Sequence, residues 1–475
     1  MKVNPFIFRG YDIRGLVDVD LNLDVALHIG MAHGTYLKRR GIKKAVVGCD
    51  CRATSPQYSK DVIKGLTWAG IDVINIGMEL VGTFYWSQYH LGCKGGVYVS
   101  ASHNPAPYNG FKLAIDFSET MVSEGIQELK KMLEDDDYEE GDVEGKVEEK
   151  NIREAYYKDI LGRFKIKNKF KIVVDPTCST PGAIVPEILR MAGCEVVEKN
   201  CKIDSSFPLG VADPTDINVA TRLKNEVLQE KADMGFSYDA DGDRIGLVDD
   251  KGNIIWNDII VAIFATSVLK YHPGSTIMYN TLCSKVVEEV IVQQGGTPFM
   301  WRTGHSFLKK KNQEVKAALI GELSGHFFFS KDFYNHDDGI YSTMYLLNYL
   351  GETNQSLSEA MSSFPKYISS PEIKIYCADD RKVALIKEIT PVLKKDFKDA
   401  EIIDDQRAGD GVRVDLSDGM FVVRYSQNAP YLTIKFEAKT EEKYNHLKKY
   451  IDELLHSHKE INWESEINLN LHALK

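Results

Sequence analysis

The chain lacks the long apolar runs, the cysteine pairs and the basic excess that would place it in three large classes of protein. No run approaches the roughly 20 apolar residues a membrane helix needs. The richest stretch, Ile259 to Leu269, is broken by Thr266 and Ser267. The start offers only Phe6, Ile7 and Phe8 ahead of Arg9, too little for a signal-peptide core. No CxxC pair occurs among the eight cysteines, and Cys49-Asp50-Cys51 has no second pair to complete a zinc site. They read as reduced, mostly buried thiols, and the expected location is cytoplasmic, with no membrane partner. Lys and Arg total 58 against 69 Asp and Glu, a net charge of −11. That is the wrong sign for a general nucleic-acid binder. A small anionic substrate is still compatible, because a local cluster of cations overrides the global sign. Apolar residues are not in short supply. With 43% hydrophobic and 27% charged residues over 475 positions, the chain reads as a folded protein of roughly three domains.

What is present repeats. Residues 44–73, 170–197 and 275–300 each run strand, polar loop, helical pattern, Gly-terminated turn, strand. This is the βαβ grammar of parallel sheets covered by helices. The glycine after each helix suits a left-handed C-terminal cap. Copies about 100 residues apart are too widely spaced for a solenoid, so three homologous α/β domains are expected. The acid-rich run 134–150 is either a solvated linker or the surface end of the first domain. Further seams fall near 251–256 and between Ser362 and Pro371. The expected domains are 1–150, 151–255, 256–368 and 369–475. The last reads as α+β: Leu432, Ile434, Phe436 and Ala438 alternate as a strand with one buried face, then Tyr444, Leu447, Ile451, Leu454 and Leu455 recur at helical spacing. Residues 459–475 carry no clear pattern.

Asp239-Ala240-Asp241-Gly242-Asp243-Arg244 is the most informative hexapeptide. On an extended segment, alternate residues point the same way and the three carboxylates converge. Oxygen-only ligands favour magnesium, manganese or calcium; the plain alternative is a polar turn with solvated acids. An EF-hand is excluded, because Arg244 and Asp250 stand where Gly and Glu are required. Arg244 suggests that a phosphate shares the metal site. Ser102, within Ser100-Ala101-Ser102-His103-Asn104-Pro105, follows an apolar run and is a candidate nucleophile once a base, metal or phosphoryl group is placed on it; read alone, the segment is a loop. His103 is not expected to serve Ser102, because adjacent side chains diverge on an extended segment. Lys112 is the better proton-transfer or charge-stabilising candidate. Glu322 and Ser324, between Gly321 and Gly325, and His326 directly after them either suit sugar hydroxyls or form a plain glycine-rich turn into the strand FFFS. Thr303-Gly304-His305-Ser306 is similar in kind, with a structural His305 as its plain alternative. Arg424-Tyr425-Ser426-Gln427-Asn428 suits a phosphate.

The motifs GYDIRG, SASHNP, DADGDR, GELSGH and RYSQNAP, in this order, resemble the α-D-phosphohexomutase superfamily from residue 9 to about residue 456. TGHS and GELSGH are most similar to its bacterial phosphomannomutase/phosphoglucomutase branch. The resemblance implies three related α/β domains with mixed sheets and a C-terminal α+β domain, around a central cleft. It implies that Ser102 is carried as phosphoserine and completes a Mg2+ site with Asp239, Asp241 and Asp243. Arg244, Lys112 and Arg14 would act on the transferring phosphoryl group, with Tyr11 close by. Glu322 and Ser324 would hold sugar hydroxyls, helped by His305, His326 and Lys285. Arg424, Ser426, Gln427 and Asn428 would grip the phosphate that does not react. The implied activity interconverts hexose 1- and 6-phosphates through glucose or mannose 1,6-bisphosphate, in a monomer or small homo-oligomer. Asn428 stands where the family commonly has Thr, and Ala429 where Thr or Glu is usual. Rival readings are a phosphoglucosamine mutase, a metal-dependent phosphatase and, from another class, a non-catalytic sugar-phosphate-binding regulator.

Overall fold

Each of the three repeats folds as its pattern requires. The strands and helices are Lys44–Cys49, Ser55–Trp68 and Asp72–Met78; Lys171–Asp175, Val185–Met191 and Glu195–Glu198; and Thr276–Asn280, Lys285–Gln293 and Thr297–Trp301. The cap glycines Gly70, Gly193 and Gly295 take φ values of +85°, +93° and +73°, which a Cβ would disfavour. These features belong to a computed structural model that describes residues 3–427 and 429–474. The chain divides into two compact units. One comprises Met1–Pro214, Thr221–Ile254 and Phe333–Leu357, the other Thr215–Ala220, Ile255–Asp332 and Ser358–Lys475.

The first unit holds two sheets. The larger runs Ile13–Leu16, Tyr108–Asp116, Gly95–Val99, Lys44–Cys49, Asp72–Met78, Val147–Glu149. Its strands 44–49, 72–78, 95–99 and 147–149 are parallel, whereas 108–116 runs antiparallel to both its neighbours in that order. Val147–Glu149 lies in the acid-rich run, which therefore ends the first sheet; Asp137 and Glu139 of the same run are paired with Arg39. In the second sheet, Lys171–Asp175 lies between parallel Glu195–Glu198 and Met234–Tyr238, and Ile245–Asp249 is antiparallel to the last.

Residues 333–357 supply the helix Gly339–Thr353 to this unit. Its N-cap, Asp338, accepts the Tyr341 amide at 2.9 Å and the Tyr156 hydroxyl at 2.7 Å. Burial pushes the Asp338 carboxyl up to about 7, against the opposing pull of those hydrogen bonds. Because the folded value exceeds the ordinary value of about 3.9, the stability it contributes is complete below that pH and is lost as the pH rises through 7. Asp338→Asn retains a capping side chain and removes the charge. Its thermal midpoint, relative to wild type, is expected to rise between pH 5 and pH 8. A parallel pair of profiles would contradict this.

The second unit also holds two sheets. The smaller orders Thr297–Trp301, Thr276–Asn280, Leu319–Gly321 and Phe327–Phe328, the last antiparallel. The larger is antiparallel throughout, ordered Glu401–Ile403, Gly411–Leu416, Gly419–Tyr425, Tyr431–Ala438, Ile373–Cys377, Ile461–Asn462, with Ile368–Ser369 beside Tyr431–Ala438. The helix Glu441–His456 buries Leu447, Ile451, Leu454 and Leu455, as their spacing requires. The strand Tyr431–Ala438 does not have the single buried face expected of it. Thr433, Lys435 and Glu437 on the opposite face are buried as well. They are tolerated there because they are paired: Lys435 Nζ lies 3.3 Å from Asp258 and donates to Ser369 Oγ at 2.7 Å, and Glu437 accepts the Lys285 amide at 2.8 Å. The unpatterned C-terminal stretch supplies the edge strand Ile461–Asn462 and a bridge from Leu469 to Lys374. All eight cysteines are free thiols, seven of them buried. Among the described residues, no helix is long and apolar enough to cross a membrane.

Candidate active site

In the first unit, Gly95–Val99 leads into the Ser102 loop and Met234–Tyr238 leads into Asp239–Arg244. Lys112 projects from Tyr108–Asp116, the neighbour of Gly95–Val99. Ser102 is buried and has φ +47°, a left-handed conformation that costs a non-glycine residue about 1 kcal/mol. Its amide donates to Ser100 Oγ at 2.8 Å, and its carbonyl accepts Arg52 Nη2 at 2.6 Å. Its Oγ donates to Asp239 Oδ2 at 2.8 Å and lies 3.3 Å from His103 Nδ1. The expected divergence of Ser102 and His103 is thus corrected. It holds for extended backbone, and the left-handed turn at Ser102 brings the two side chains together.

The acidic hexapeptide also differs in local form from the extended segment expected. It is a turn joining the antiparallel strands Met234–Tyr238 and Ile245–Asp249, with Gly242 at φ +73°. The turn, not strand alternation, gathers the acids. One oxygen from each of Asp239, Asp241 and Asp243 lies within 4.8 Å of the others, and all three residues are buried. Lys112 Nζ is 2.8 Å from both Asp241 Oδ2 and Asp243 Oδ2. Arg244 donates through Nε to Asp239 Oδ2 at 3.0 Å and through Nη1 to Asp213 at 3.2 Å. Ser100 Oγ, which receives the Ser102 amide, donates to Asp241 Oδ2 at 3.1 Å and so joins the two loops.

The electrostatics follow from burial and sign. Burial, reinforced by Asp243 and Asp241 and opposed by Arg244, holds the Asp239 carboxyl well above the usual range. Burial would raise Asp241 too, but the Lys112 charge and hydrogen bond outweigh it and push that carboxyl down. Lys112 is raised well above an ordinary lysine, its two carboxylates overcoming the effect of burial. Asp241 Oδ1 is buried without a hydrogen-bond partner. Three converging hard oxygen donors, mutual repulsion and this orphaned oxygen fit a divalent cation of the magnesium type.

Arg14 is paired with Asp12 at 2.7 Å and donates through Nη1 to Ala101 O at 3.3 Å and Asn104 Oδ1 at 3.0 Å, so it abuts the Ser102 loop. Tyr11 is half-buried three residues before it.

The remaining candidates lie in the second unit in separate groups. Glu322, buried, accepts the Gly304 amide at 3.0 Å and Asn280 Nδ2 at 3.2 Å, while Asn280 Oδ1 accepts the Leu323 amide at 3.2 Å. His305 and His326 stack with centroids 4.9 Å apart, and half-buried Ser324 sits between Glu322 and His326 in sequence. Lys285 begins its helix with Nζ 3.9 Å from Asp415. Arg424 is held by both oxygens of Asp410, through Nε at 2.8 Å and Nη2 at 2.5 Å, and Gln427 Nε2 donates to the same carboxylate at 3.2 Å. Among the described residues, the third guanidinium nitrogen of Arg424, Nη1, makes only a 3.5 Å contact to Thr433 Oγ1. Ser426 is buried beside Arg424, and Asn428 lies outside the described residues.

Sequence reasoning missed the residues that hold these groups: Ser100, Arg52, Asp213, Asn280 and Asp410. One signal was present. Asp12-Ile13-Arg14 and Asp50-Cys51-Arg52 share an acid–arginine spacing of two, and both form ion pairs, the second at 3.2 Å.

Four family models match in succession. They are phosphoglucomutase/phosphomannomutase alpha/beta/alpha domain I over residues 5–140, domain II over 154–252, domain III over 256–367 and the C-terminal domain over 372–454. A phosphomannomutase/phosphoglucomutase of Pseudomonas putida is 37% identical over 442 residues, 93% of this chain and 94% of that protein. A phosphoglucomutase of Neisseria gonorrhoeae is 33% identical, covering 96% of this chain and 98% of its own. The crystal structure of a phosphoglucomutase/phosphomannomutase family protein from Burkholderia thailandensis matches with a TM-score of 0.87 at 31% identity, over 96% of this chain and 98% of that one. The chain belongs to the phosphoglucomutase/phosphomannomutase family.

Proposed function

We propose that the chain interconverts hexose 1-phosphates and hexose 6-phosphates of glucose and mannose by passing a phosphoryl group through Ser102. The observation that carries this reading is the Ser102 hydroxyl 2.8 Å from one of three clustered buried carboxylates, with Lys112 on the other two and Arg244 on the first. Such a density of opposite charges suits phosphoryl transfer, where positioning and charge neutralisation do most of the work. Phosphorylated Ser102 donates its phosphoryl group to O1 or O6 of the monophosphate. The bond from phosphorus to Oγ breaks as the bond to the sugar oxygen forms, and the proton lost by the sugar hydroxyl is balanced by the one taken up on Ser102 Oγ as it leaves. The resulting 1,6-bisphosphate turns end for end and returns its other phosphoryl group to Ser102.

Lys112 and Arg244 enter as cations and stabilise the charge that spreads over the moving group, and Arg14 assists from beside Asn104. Asp239, Asp241 and Asp243, with an oxygen of phosphoserine, would hold Mg2+, which supplies charge neutralisation at the phosphoryl oxygens. Glu322 and Ser324 bind two sugar hydroxyls, supported by His305, His326 and Lys285. A pair reading O3 and O4 leaves C2 unread, so both sugars are accepted. Arg424, Ser426 and Gln427 bind the non-reacting phosphate, and Asn428 is assigned to the same loop. The partners are thus hexose phosphates, and the setting is the cytoplasm.

Asp410 sets the fork of Arg424. Asp410→Ala is expected to raise the KM for glucose 1-phosphate by about 10- to 100-fold while kcat stays within a few-fold, as for loss of a buried charge partner. A fall in kcat at unchanged KM would remove Arg424 from phosphate binding.

The test of function is a coupled assay on mannose 1-phosphate, glucose 1-phosphate and glucosamine 1-phosphate, with magnesium and a trace of glucose 1,6-bisphosphate. Conversion of the first two to their 6-phosphates supports the reading. Conversion of the third alone favours the amino-sugar mutase. Steady release of inorganic phosphate would indicate a phosphatase.

A further inference from the structure

We infer that Arg52 is a positioning residue for this transfer, holding Ser102 in the left-handed conformation that aims its oxygen at the acidic cluster. The inference rests on the reading of Ser102 as the phosphoryl carrier. Arg52 follows the strand Lys44–Cys49 and is 2% exposed. Its guanidinium donates to four backbone carbonyls of the loop that carries Ser102. Nη2 reaches Ser102 O and Asn104 O, both at 2.6 Å, and Nη1 reaches Pro105 O at 2.9 Å and Tyr108 O at 3.0 Å. Nε lies 3.2 Å from Asp50 Oδ2 as an ion pair without hydrogen-bond geometry, and Asp50 Oδ1 accepts the Ser55 hydroxyl at 2.6 Å. The guanidinium carbon also lies 5.0 Å from the centroid of the Phe207 ring. Both Nη groups are therefore directed at the loop backbone, while Asp50 pairs the charge, which distinguishes this arginine from a phosphate ligand.

The geometry explains how a strained serine persists. Ser102 has φ +47°, and both polar groups of its own backbone are engaged, the amide by Ser100 Oγ and the carbonyl by Arg52. A planar fork of fixed N–H directions can span several carbonyls at once; a lysine ammonium, a point charge with three donors, cannot reproduce it. Without the fork, Ser102 is free to relax to negative φ, and its Oγ then leaves the 2.8 Å contact with Asp239. The sugar-binding residues are not altered by this change, so the loss should fall on the chemical step.

The experiment compares Arg52→Lys and Arg52→Ala with wild type and Ser102→Ala, measuring kcat and KM for glucose 1-phosphate, thermal unfolding, and activity with added guanidinium chloride. The expected result is a kcat lowered by about 100-fold in both Arg52 variants, the scale of a misplaced reacting group, with KM within a few-fold. Millimolar guanidinium should restore part of the kcat of Arg52→Ala and none of that of Arg52→Lys. Wild-type kcat in either Arg52 variant, alongside an inactive Ser102→Ala, would overturn the inference and leave the function standing. Full activity in Ser102→Ala would overturn the phosphoserine reading and the role of Arg52 with it. Unfolding of both Arg52 variants, or loss of activity without guanidinium recovery, would mark Arg52 as structural only and overturn the inference as well.

Discussion

Ser102→Ala is expected to lower kcat by about 10⁴-fold or more, because no other group replaces a covalent carrier. KM or the dissociation constant for glucose 1-phosphate should stay within a few-fold, since the residues assigned to sugar and phosphate are elsewhere. The fold should tolerate the change. Alanine bears the same left-handed strain at this position as serine does. The lost hydroxyl removes one of the two donors to Asp239 Oδ2 while Arg244 still reaches both carboxylate oxygens, so the loss is smaller than that of a fully unsatisfied acceptor. The cost of one unsatisfied buried acceptor, about 1–3 kcal/mol, sets the upper limit of destabilisation. Residual turnover near the wild-type rate would remove Ser102 from the mechanism. A loss of sugar binding equal to the loss of rate would instead assign it a binding role.

Replacing Lys112 is expected to damage both stability and rate. Its ammonium lies 2.8 Å from carboxylate oxygens of Asp241 and Asp243, and all three residues are buried. Removing one member of a buried ionic group strands the others, which typically costs about 3–5 kcal/mol. Lys112→Met should therefore lower the thermal midpoint at neutral pH, and magnesium should recover much of that loss by supplying the missing positive charge. The sign of the titration is definite. The folded value of Lys112 is raised above that of an ordinary lysine, so its contribution is complete below the unfolded value of about 10.4 and is lost only as the pH rises through the higher folded value. At neutral pH it acts as a cation and acid, not as a base. The expected fall in kcat is about 10²- to 10⁴-fold, the range for loss of a proton-transfer group. A variant with unchanged stability and no magnesium dependence of its midpoint would contradict the charge arrangement. A variant with wild-type kcat would remove Lys112 from the transfer.

What was legible in the sequence was chemistry at short spacing. Asp239, Asp241 and Asp243 point to a cation site because three acids so close repel one another, and the three Gly-capped βαβ copies declare their layers through hydrophobic period and turn residues. The manner in which the acids meet was not legible, because a turn and a strand can both present alternate residues to one point, and Gly242 decides between them through its positive φ. His103 was misjudged for a related reason, since nothing in SASHNP states that Ser102 is left-handed. Long-range partners leave the weakest trace. Arg52 meets Ser102 across 50 positions and Asn280 meets Glu322 across 42, and only the three-dimensional fold pairs them. The far face of Tyr431–Ala438 was hidden likewise: Lys435 and Glu437 read as solvent-facing until Asp258, Ser369 and the Lys285 amide arrive to satisfy them. The helix Gly339–Thr353 joins the first unit although the stretch before it folds with the second, an exchange no local pattern records.

The central claim, that Ser102 carries the phosphoryl group between the two ends of the sugar, is tested most directly on the protein itself. The full chain is incubated with glucose 1,6-bisphosphate and magnesium, freed of ligand, and analysed by mass spectrometry before and after rapid mixing with glucose 1-phosphate. The expected result is one phosphoryl group per chain, mapped to Ser102, that leaves at least as fast as steady-state turnover and is recovered in hexose bisphosphate or 6-phosphate. A protein that turns over without a phosphoryl group on Ser102, or one whose phosphoserine persists unchanged through many turnovers, would contradict it.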